Sequence, residues 1–299
     1  MDQDSGGQGD RDGAAARIGT IGVVGAGTMG GGIAQIAARG GLNVVLIDQS
    51  ESWLDRGLAA ITADLDRLVA KERMTAERRD AILSRIEGST TFDHLSSCDL
   101  VIEAVNESLP TKTEVFASVS EIVQPNVILV SNTSSISITA LAGSVPNPER
   151  VAGMHFFNPV PVMKLVEVIR GLQTSDETVA TVTDLAERIG KTPVPVADAP
   201  GFVANRILLP MINEAVFCLA EGVASAEDID TVMRLGASHP MGPLALADLI
   251  GLDVCLGILE VLHAEFGDKY RPAPMLRQMV AAGRLGRKSG AGFHDYGGS

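Results

Sequence analysis

The chain has 299 residues, of which 45% are hydrophobic and 20% are charged, and its formal net charge is −13 at pH 7. This size and composition are typical of a soluble globular protein with two domains. The acidic balance argues against a nucleic-acid partner, because phosphate binding needs clustered Lys and Arg side chains. Three widely separated cysteines, Cys98, Cys218 and Cys255, predict neither a disulfide framework nor a metal site.

Residues 1–16 are acidic and rich in glycine, which predicts a disordered tail. The segment lacks the apolar run of a signal peptide, and its aspartates argue against a mitochondrial transit peptide. No apolar stretch of the chain is long enough to span a bilayer, so a membrane partner is not expected. We therefore expect a cytoplasmic protein.

Order is predicted from Arg17 onward, and it begins with a strand–helix–strand unit. A β-rich run at 18–24 leads into Gly25-Ala-Gly-Thr-Met-Gly30, a helix with small residues follows, and a second buried strand ends at Asp48. A G-x-G-x-x-G pattern in this context, with an acidic residue at this distance, indicates a dinucleotide-binding site. The alternative interpretation is a structural turn followed by a solvated strand end.

The glycine turn and Asp48 also predict which dinucleotide is bound. The first glycine permits the tight turn, the second lets a pyrophosphate approach the backbone, and the third lets helix and strand pack closely. The pyrophosphate would bind the amides at the helix N-terminus. Asp48 can accept hydrogen bonds from both ribose hydroxyls and would repel a 2′-phosphate, so NAD is preferred to NADP. The predicted cofactor-binding residues of the turn are Gly25, Ala26, Gly27, Thr28, Met29 and Gly30.

The segment after Asp48 begins with a highly charged helical pair, predicted at 51–85, whose second helix starts at Thr75. This pair is too polar to lie wholly within the layers of a sheet, so we expect it to project. Further elements are predicted as strands at 90–92, 99–105 and 127–131 and as a helix at 110–123.

A histidine and a glutamate occur on two short β-like runs that are joined by a proline-rich turn. The runs are 151–157, which carries His155, and 164–169, which carries Glu167. A hairpin would bring the carboxylate beside the imidazole, fix its tautomer and make the other ring nitrogen a better base. The pair is therefore a candidate chemical centre. The alternative is a buried structural histidine that takes part in no reaction.

The chain changes character at Asp198-Ala-Pro-Gly201, a turn-forming cluster. The pattern before it ends with a helix at 177–189 and a strand at 192–197, and the pattern beyond it predicts helices at 202–222, 225–235, 244–266 and 274–283. We predict an α/β protein in which a Rossmann-type domain with a doubly wound, mostly parallel sheet (17–200) is followed by an all-α domain (201–299). Apolar residues on many faces of the helical domain predict a homodimer formed through it.

Five motifs resemble those of the short-chain L-3-hydroxyacyl-CoA dehydrogenases and, within that family, the bacterial 3-hydroxybutyryl-CoA dehydrogenases. The likeness runs from about residue 17 to residue 296. It implies an NAD-dependent interconversion of a short-chain L-3-hydroxyacyl-CoA and its 3-oxoacyl-CoA. The motifs are Gly25-Ala-Gly-Thr-Met-Gly30, Ser131-Asn-Thr-Ser-Ser135, His155-Phe-Phe-Asn-Pro-Val-Pro161 with Leu165-Val-Glu-Val168, His239-Pro-Met-Gly-Pro-Leu244 and Leu285-Gly-Arg-Lys-Ser-Gly-Ala-Gly-Phe293.

The resemblance also implies roles for individual residues. His155 would take the hydroxyl proton as hydride leaves for the nicotinamide, and Glu167 would orient the imidazole and stabilise its charge. Ser134 and Asn205 match positions that hold the substrate oxygen and the histidine. No metal is needed, since hydride transfer requires only proton transfer, orientation and donors for the developing oxyanion. Further cofactor contacts would come from Glu107, Lys112, Asn158 and Lys288.

On the charged helical pair, Lys71 matches a basic position that binds coenzyme A. Asp64 matches a small polar position but departs from it, because a carboxylate is a poor neighbour for phosphates. Apart from the family, Lys71 could belong to a solvated helix face, Ser134 could cap the helix that starts near Ile136, and Asn205 could be a capping or packing residue.

Two other functions stay open. A related enzyme would oxidise a free hydroxy acid, such as a sugar acid, with the same base and cofactor. The aromatic pair Phe156-Phe157 beside the histidine favours an acyl thioester over such an acid. The third possibility is a non-catalytic protein that binds a dinucleotide. The presence of His155, Glu167, Ser134 and Asn205 together argues against it.

Overall fold

The structure, a computed structural model, describes residues 18–297. The predicted tail, residues 1–16, lies outside the described residues. The chain forms two compact units, the first ending at Asp198 and the second beginning at Ala199. Among residues 18–297, no helix is both long enough and apolar enough to cross a membrane.

The first unit is built on one eight-stranded sheet. Its strands are β1 Thr20–Val24, β2 Asn43–Ile47, β3 Ile86–Ser89, β4 Leu100–Glu103, β5 Ile128–Ser131, β6 Val151–Phe156, β7 Leu165–Arg170 and β8 Thr192–Ala197. They lie in the order β3-β2-β1-β4-β5-β6-β7-β8. All neighbours are parallel except β6 and β7, which form an antiparallel hairpin. The predicted doubly wound, mostly parallel sheet is confirmed.

The central strands are nearly continuous apolar runs because they are buried on both faces of the sheet. Strand β4 is buried along its whole length and carries one carboxylate, Glu103, at its last position. At the edge of the sheet, β8 contains Pro193 and Pro195. The Thr192 amide donates to the Lys164 carbonyl of the neighbouring segment at 2.8 Å. The backbone nitrogens of Pro193 and Pro195 therefore face the open edge of the sheet, where a missing N–H costs no hydrogen bond.

The helices of the first unit are α1 Thr28–Arg39, α2 Glu51–Ala70, α3 Ala76–Leu83, α4 Leu109–Ile122, α5 Ile138–Ala142 and α6 Asp176–Arg188. The charged pair consists of α2 and α3. Thr75 caps α3 as predicted, its hydroxyl accepting a hydrogen bond from the Arg78 amide at 3.3 Å. One stripe of α2 joins the main hydrophobic core through Leu54, Ile61 and Leu65. The pair is therefore anchored by this stripe, and most of its charged side chains are exposed.

The predicted strand at 90–92 is wrong. The strand lies earlier, at β3, where Ile86 pairs with Val44 of β2, and residues Phe92–Ser97 form a short 3₁₀ helix. Strand β3 contains one apolar side chain and no fully buried residue. Backbone pairing with β2, rather than side-chain burial, defines this strand, so no hydrophobic alternation marks it in the sequence.

The second unit is helical, as predicted, with α7 Ala204–Ala220, α8 Ala226–Gly236, α9 Pro243–Ile250, α10 Leu252–Phe266 and α11 Pro274–Ala281. The prediction of one continuous helix over 244–266 is wrong. Gly251 separates α9 from α10 with φ 105°, a conformation that glycine adopts readily and other residues rarely do. Both new helices pack into one apolar core, which includes Leu209, Val216, Leu244, Leu259 and Leu276.

Candidate active site

A cavity of about 600 Å³ opens at the carboxyl ends of β1, β2 and β4. Open α/β sheets bind ligands at this edge, where the order of the strands reverses. Gly25, Gly27 and Asp48 line the cavity. The rest of its wall was not identified from sequence patterns, although Ala104, Val105 and Asn106 follow β4 and the topology places them at this edge. The remaining wall includes Trp53, Thr90, Phe92, Thr111, Glu114, Val115 and Ser118.

The turn between β1 and α1 presents backbone rather than side chains to the cavity. Gly25 has φ +106°, and a Cβ there would lie 2.6 Å from the carbonyl oxygen of Ala104. A Cβ at Gly30 would overlap the carbonyl oxygen of Gly25, so a glycine is needed for the close approach of α1 to β1. Outside Gly27 and its two chain neighbours, no described atom lies within 4 Å of where a Cβ at Gly27 would stand. The turn therefore leaves room for a phosphate at the N-terminus of α1.

The Asp48 carboxylate is tied to the glycine turn. Its Oδ2 accepts a hydrogen bond from the Ala26 amide and its Oδ1 accepts one from the Gln49 amide, both at 2.8 Å. Each carboxylate oxygen keeps capacity for a ribose hydroxyl. The wall carries a second acid, Glu114, and none of the described lining residues is a lysine or an arginine. A 2′-phosphate would meet negative charge here, which favours NAD over NADP.

One basic side chain contacts the wall indirectly. The Arg56 guanidinium lies 3.8 Å from the ring centroid of Trp53, and its Nε donates to the Ser52 carbonyl at 3.0 Å. This stacking is a cation–π contact on an aromatic ring that is half exposed. Arg56 is thus held on the indole and is not one of the residues that line the cavity.

The β6–β7 hairpin brings the histidine and the glutamate together. His155 and Glu167 are directly opposite in the antiparallel register, and Nδ1 lies 2.7 Å from Oε2. The two residues are only 7% and 2% exposed. The predicted proximity is confirmed, because a pair of opposite residues on one face of a hairpin must meet. With Nδ1 donating to the carboxylate, Nε2 is the nitrogen that can accept a proton.

The two aromatic residues after the histidine have different surroundings. The Phe157 ring lies 4.5 Å from the His155 ring, centroid to centroid, and is partly exposed. Phe156 is buried in the main core of the sheet unit. Successive side chains of a strand point to opposite faces, so only Phe157 can contribute to an apolar wall beside the imidazole. The sequence-based expectation that both would do so is wrong for Phe156.

Glu107 organises the loop that follows β5. Its Oε1 accepts hydrogen bonds from the Thr133 hydroxyl at 2.6 Å and from the amides and hydroxyls of both Ser134 and Ser135 at 2.9–3.1 Å. Burial alone would raise the pKa of Glu107, but the Lys112 ammonium and these donors outweigh it, so the pKa is lowered from its ordinary value. Glu107 is therefore a carboxylate that fixes the position of Ser134.

Ser134 does not cap the following helix. Ser137 is the N-cap of α5, and its hydroxyl accepts a hydrogen bond from the Ala140 amide at 3.2 Å. The carboxylate of Asp198 adds further acceptors, for the Ser137 hydroxyl and the Thr139 amide. The capping alternative for Ser134 is therefore wrong, and its side chain is held by Glu107 at the carboxyl end of β5.

Lys112 is buried and binds two carboxylates, and it is not among the residues that line the cavity. Its side chain is 1% exposed, and Nζ donates to Glu103 Oε1 at 2.7 Å and lies 3.4 Å from Glu107 Oε2. Glu103 also accepts hydrogen bonds from the Ser131 hydroxyl at 2.6 Å and the Val105 amide at 2.7 Å. This network links the ends of β4 and β5. Glu103 was not predicted, although a carboxylate at the end of an otherwise apolar strand was the available signal.

The remaining predicted cofactor residues lie on exposed segments. Asn158 is exposed in the turn that follows β6. Lys288 belongs to the helical unit, and its Nζ donates to both carboxylate oxygens of Asp253 at 2.6 Å. Burial alone would raise the pKa of Asp253, but the Lys288 ammonium outweighs it and the pKa is lowered. Contacts of Asn158 and Lys288 with NAD stay predictions.

The predicted substrate residues are dispersed in the sequence. Lys71 is exposed at the C-terminal end of α2, and Asp64 on the same helix forms an ion pair with Arg67. Asn205 is the second residue of α7 and is buried, and the N-cap of that helix is Val203. The capping alternative for Asn205 is therefore wrong, whereas its packing role and its substrate role both stay predictions. In the part of the chain that the structure describes, no group of three or more His, Cys, Asp or Glu side chains could hold a metal ion.

Two family profiles together cover almost all of the described residues. The profile of the 3-hydroxyacyl-CoA dehydrogenase NAD-binding domain matches residues 20–199. The profile of the 3-hydroxyacyl-CoA dehydrogenase C-terminal domain matches residues 201–296.

Three similar proteins are named for the same activity. A probable 3-hydroxybutyryl-CoA dehydrogenase of Deinococcus radiodurans is 56% identical over 277 residues, which are 92% of this chain and 99% of that protein. A 3-hydroxybutyryl-CoA dehydrogenase of Bradyrhizobium diazoefficiens is 50% identical over 286 residues, covering 95% and 98% of the two chains. The crystal structure of the (S)-3-hydroxybutyryl-CoA dehydrogenase of Ralstonia eutropha matches with a TM-score of 0.91 at 55% identity, covering 94% of this chain and 100% of that one.

Proposed function

The chain belongs to the 3-hydroxyacyl-CoA dehydrogenase family, a family of NAD-dependent enzymes, and we propose that it interconverts L-3-hydroxybutyryl-CoA and acetoacetyl-CoA. The observation that carries the proposal is the buried hydrogen bond between His155 Nδ1 and Glu167, in a unit that also contains a dinucleotide-type cavity. The relatives at 50–56% identity that are named for this substrate support the choice of acyl group.

NAD supplies the hydride acceptor for oxidation of the alcohol and, when reduced, the donor for the reverse reaction. The amides of the glycine turn hold its pyrophosphate, and Asp48 accepts hydrogen bonds from its ribose. Asn158 and Lys288 add contacts from their exposed segments. Glu107 and Lys112 act chiefly by fixing the loops at the ends of β4 and β5, because their charged groups bind each other and their neighbours.

His155 carries the proton in the proposed reaction. In oxidation, the hydroxyl proton passes to Nε2 while the C3–H bond breaks and its electron pair leaves with the hydride, so that C3 becomes a carbonyl. The resulting imidazolium is stabilised by Glu167, whose carboxylate already accepts the Nδ1 hydrogen bond. In reduction, the imidazolium returns its proton to the oxygen as hydride arrives. Glu167 keeps one tautomer in place throughout.

Two donors and one aromatic ring select the substrate's reacting end. When the substrate binds, the Ser134 hydroxyl exchanges its hydrogen bond to Glu107 for one to the substrate oxygen, where negative charge develops in the transition state of reduction, and the Asn205 amide is the second proposed donor. Phe157, beside the imidazole, provides an apolar contact for the short acyl chain. At the C-terminal end of α2, Lys71 binds a phosphate of coenzyme A. The ion pair with Arg67 offsets the negative charge of the Asp64 carboxylate on the same helix.

The direct test follows NADH absorbance with acetoacetyl-CoA as substrate. Turnover is expected, with NADPH a much poorer donor and free acetoacetate a much poorer acceptor. No absorbance change with acetoacetyl-CoA would sink the proposal. Comparable rates with free acetoacetate would favour the enzyme of free hydroxy acids, and tight NAD binding without turnover of any hydroxyacyl-CoA would favour a non-catalytic protein.

We also propose a homodimer formed through the helical unit. Contiguous patches of exposed apolar residues, unlike single ones, mark interfaces on a protein surface. In the second unit they are Val203, Ile207, Val223, Val232, Leu235, Leu249 and Val254. Sedimentation at micromolar concentration is expected to give twice the mass of the chain, and a monomer there would contradict the proposal.

A further inference from the structure

Lys191 is a buried lysine that takes no part in the reaction proposed above. It lies between α6 and β8 and is 8% exposed. Its Nζ donates to the carbonyl oxygens of Val160 and Met163, the latter at 2.7 Å. Both carbonyls belong to the turn that joins β6 to β7. We propose that Lys191 is a positioning residue, which holds this turn so that His155 and Glu167 meet in the orientation needed for proton transfer.

The turn is held at several points. The amides of Val162 and Met163 both donate to the Pro159 carbonyl, at 2.9 and 3.0 Å. Val160 is buried in the main core, and a Cβ added at Gly32 of α1 would lie 2.8 Å from the Val160 Cβ. Apolar packing therefore fixes one side chain of the turn, and Lys191 is the charged donor to two of its backbone carbonyls, those of Val160 and Met163.

The position of the turn decides how the two strands pair. In a hairpin, a one-residue change of register moves every side chain to the opposite face. The turn begins just after the strand of His155 and ends just before the strand of Glu167. Lys191 is also followed by Thr192, whose amide donates to the Lys164 carbonyl at 2.8 Å and thus begins the pairing of β8 with β7. One residue therefore ties the turn to the next strand of the sheet.

The surroundings of Lys191 argue for a geometric role. Burial, together with the positive charge of Arg39, lowers the pKa of Lys191, so the charged form is disfavoured where it stands. A buried ammonium is a costly way to stabilise a fold when an apolar side chain could fill the same space. An ammonium can, however, donate to both carbonyls at once, which a methionine cannot.

The inference rests on the proposed function. It is tested by a kinetic measurement, which depends on that function, and by an NMR measurement, which does not. The variant Lys191→Met is compared with Lys164→Met, which removes the same charge from an exposed residue at the end of the same turn. In acetoacetyl-CoA reduction, K191M is expected to lower kcat about 10- to 100-fold, because small misplacements of reacting groups cost this much. K191R, which can still donate to both carbonyls, should recover most of kcat, and K164M should stay within about twofold of wild type.

The second arm observes the pair directly. Nitrogen-15 spectra of the histidine rings are recorded at neutral pH, and the His155 signals are assigned by their absence in H155Q. In K191M the Nδ1 signal should shift as its hydrogen bond to Glu167 lengthens, whereas K164M should leave it unchanged. If wild type does not reduce acetoacetyl-CoA, the proposed function fails, and this arm still tests Lys191.

Wild-type kcat together with an unshifted Nδ1 signal in K191M would overturn the inference. A loss of kcat in K191M that K191R does not recover, with the Nδ1 signal unmoved, would also overturn it, because a general loss of stability would then explain the rate. Should K191M fail to fold, Lys191→Gln carries the comparison with smaller expected changes in kcat and in the Nδ1 signal, because its amide keeps N–H donors on a shorter side chain.

Discussion

Two pairs in the sheet unit have nearly the same geometry and different chemistry. His155 and Glu167 lie 2.7 Å apart on the antiparallel hairpin, and Lys112 and Glu103 lie 2.7 Å apart at the end of β4. All four side chains are less than a tenth exposed. Each pair consists of a carboxylate and a basic group removed from water.

The difference lies in what the basic group can do. An imidazole whose one ring nitrogen donates to a carboxylate still has a second nitrogen that can accept a proton, whereas an ammonium has donors only. The His155 pair can therefore carry a proton through a reaction, and the Lys112 pair can only hold loops in place. Distance and burial alone do not separate the two roles. The side-chain type and the neighbours do, since Glu103 is also bound to Ser131 and Val105.

Replacing the imidazole is expected to give the largest effect. His155→Gln keeps a polar side chain opposite Glu167 but removes the group that transfers the proton, so kcat for acetoacetyl-CoA reduction should fall about 10²- to 10⁴-fold. The melting temperature should change little. Glu167→Gln is the matched variant, which keeps a hydrogen-bond acceptor for Nδ1 and loses the charge, and it should lose less. If H155Q keeps most of its kcat, the His155–Glu167 pair does not transfer the proton, and its role would not differ from that of the Lys112–Glu103 pair.

Breaking the other pair should act on stability first. Lys112→Met leaves the Glu103 charge buried without its ion-pair partner, which is expected to cost about 3–5 kcal/mol in the free energy of unfolding. Urea denaturation measures this loss. The double variant E103Q/K112M removes both charges and keeps an acceptor for Ser131, so it should recover at least half of the loss. If K112M is as stable as wild type, the Lys112–Glu103 ion pair does not stabilise the fold.

The smallest expected effect concerns the pH dependence of stability. The pKa of Glu107 in the folded protein is lowered from its ordinary value of 4.5, so its stabilising contribution is present above the unfolded pKa and is lost as the pH falls through the folded pKa. Glu107→Gln should be less stable than wild type by no more than about 1 kcal/mol at neutral pH, because the residue is partly exposed.

This difference should shrink as the pH falls from about 5 to about 3, and melting curves at several pH values measure it. The exposed Glu114, on helix α4 just after Glu107, provides the control variant Glu114→Gln. A gap between wild type and E107Q that stays constant down to the lower pH would show that the carboxylate charge is not what holds the Ser134 loop.

Several parts of this site could be predicted because the relevant contacts are local. The glycine turn follows β1 directly, and its requirement for glycine at Gly25 and Gly30 comes from the backbone of the same strand–turn–helix unit. The hairpin joins His155 to Glu167 through a short turn, so period-two alternation put both on one face. The N-cap Thr75 likewise depends only on its own helix.

Other parts could not be predicted because their partners are distant in sequence. The Glu107 contacts join the segment after β4 to the segment after β5, and only the order of the strands makes these segments neighbours. The Lys112–Glu103 pair joins helix α4 to the end of β4, nine residues earlier. Strand β3 shows no apolar alternation, because its pairing with β2 depends on backbone hydrogen bonds rather than on buried side chains. The break at Gly251 interrupts a continuous apolar pattern, which by itself favours one long helix.

The sequence by itself determined the fold class, the dinucleotide turn, the preference for NAD and the meeting of the histidine with its carboxylate. Each of these follows from short-range periodicity or from residue types at fixed spacing, which local sterics and hydrogen bonding decide. Only the tertiary structure showed that Lys112 does not line the cavity and that Glu103 is its buried partner. It also showed that Lys191 binds the carbonyls of the hairpin turn. The physical reason is that a buried charge is identified by its partners, and those partners are brought together by the packed sheet rather than by the chain.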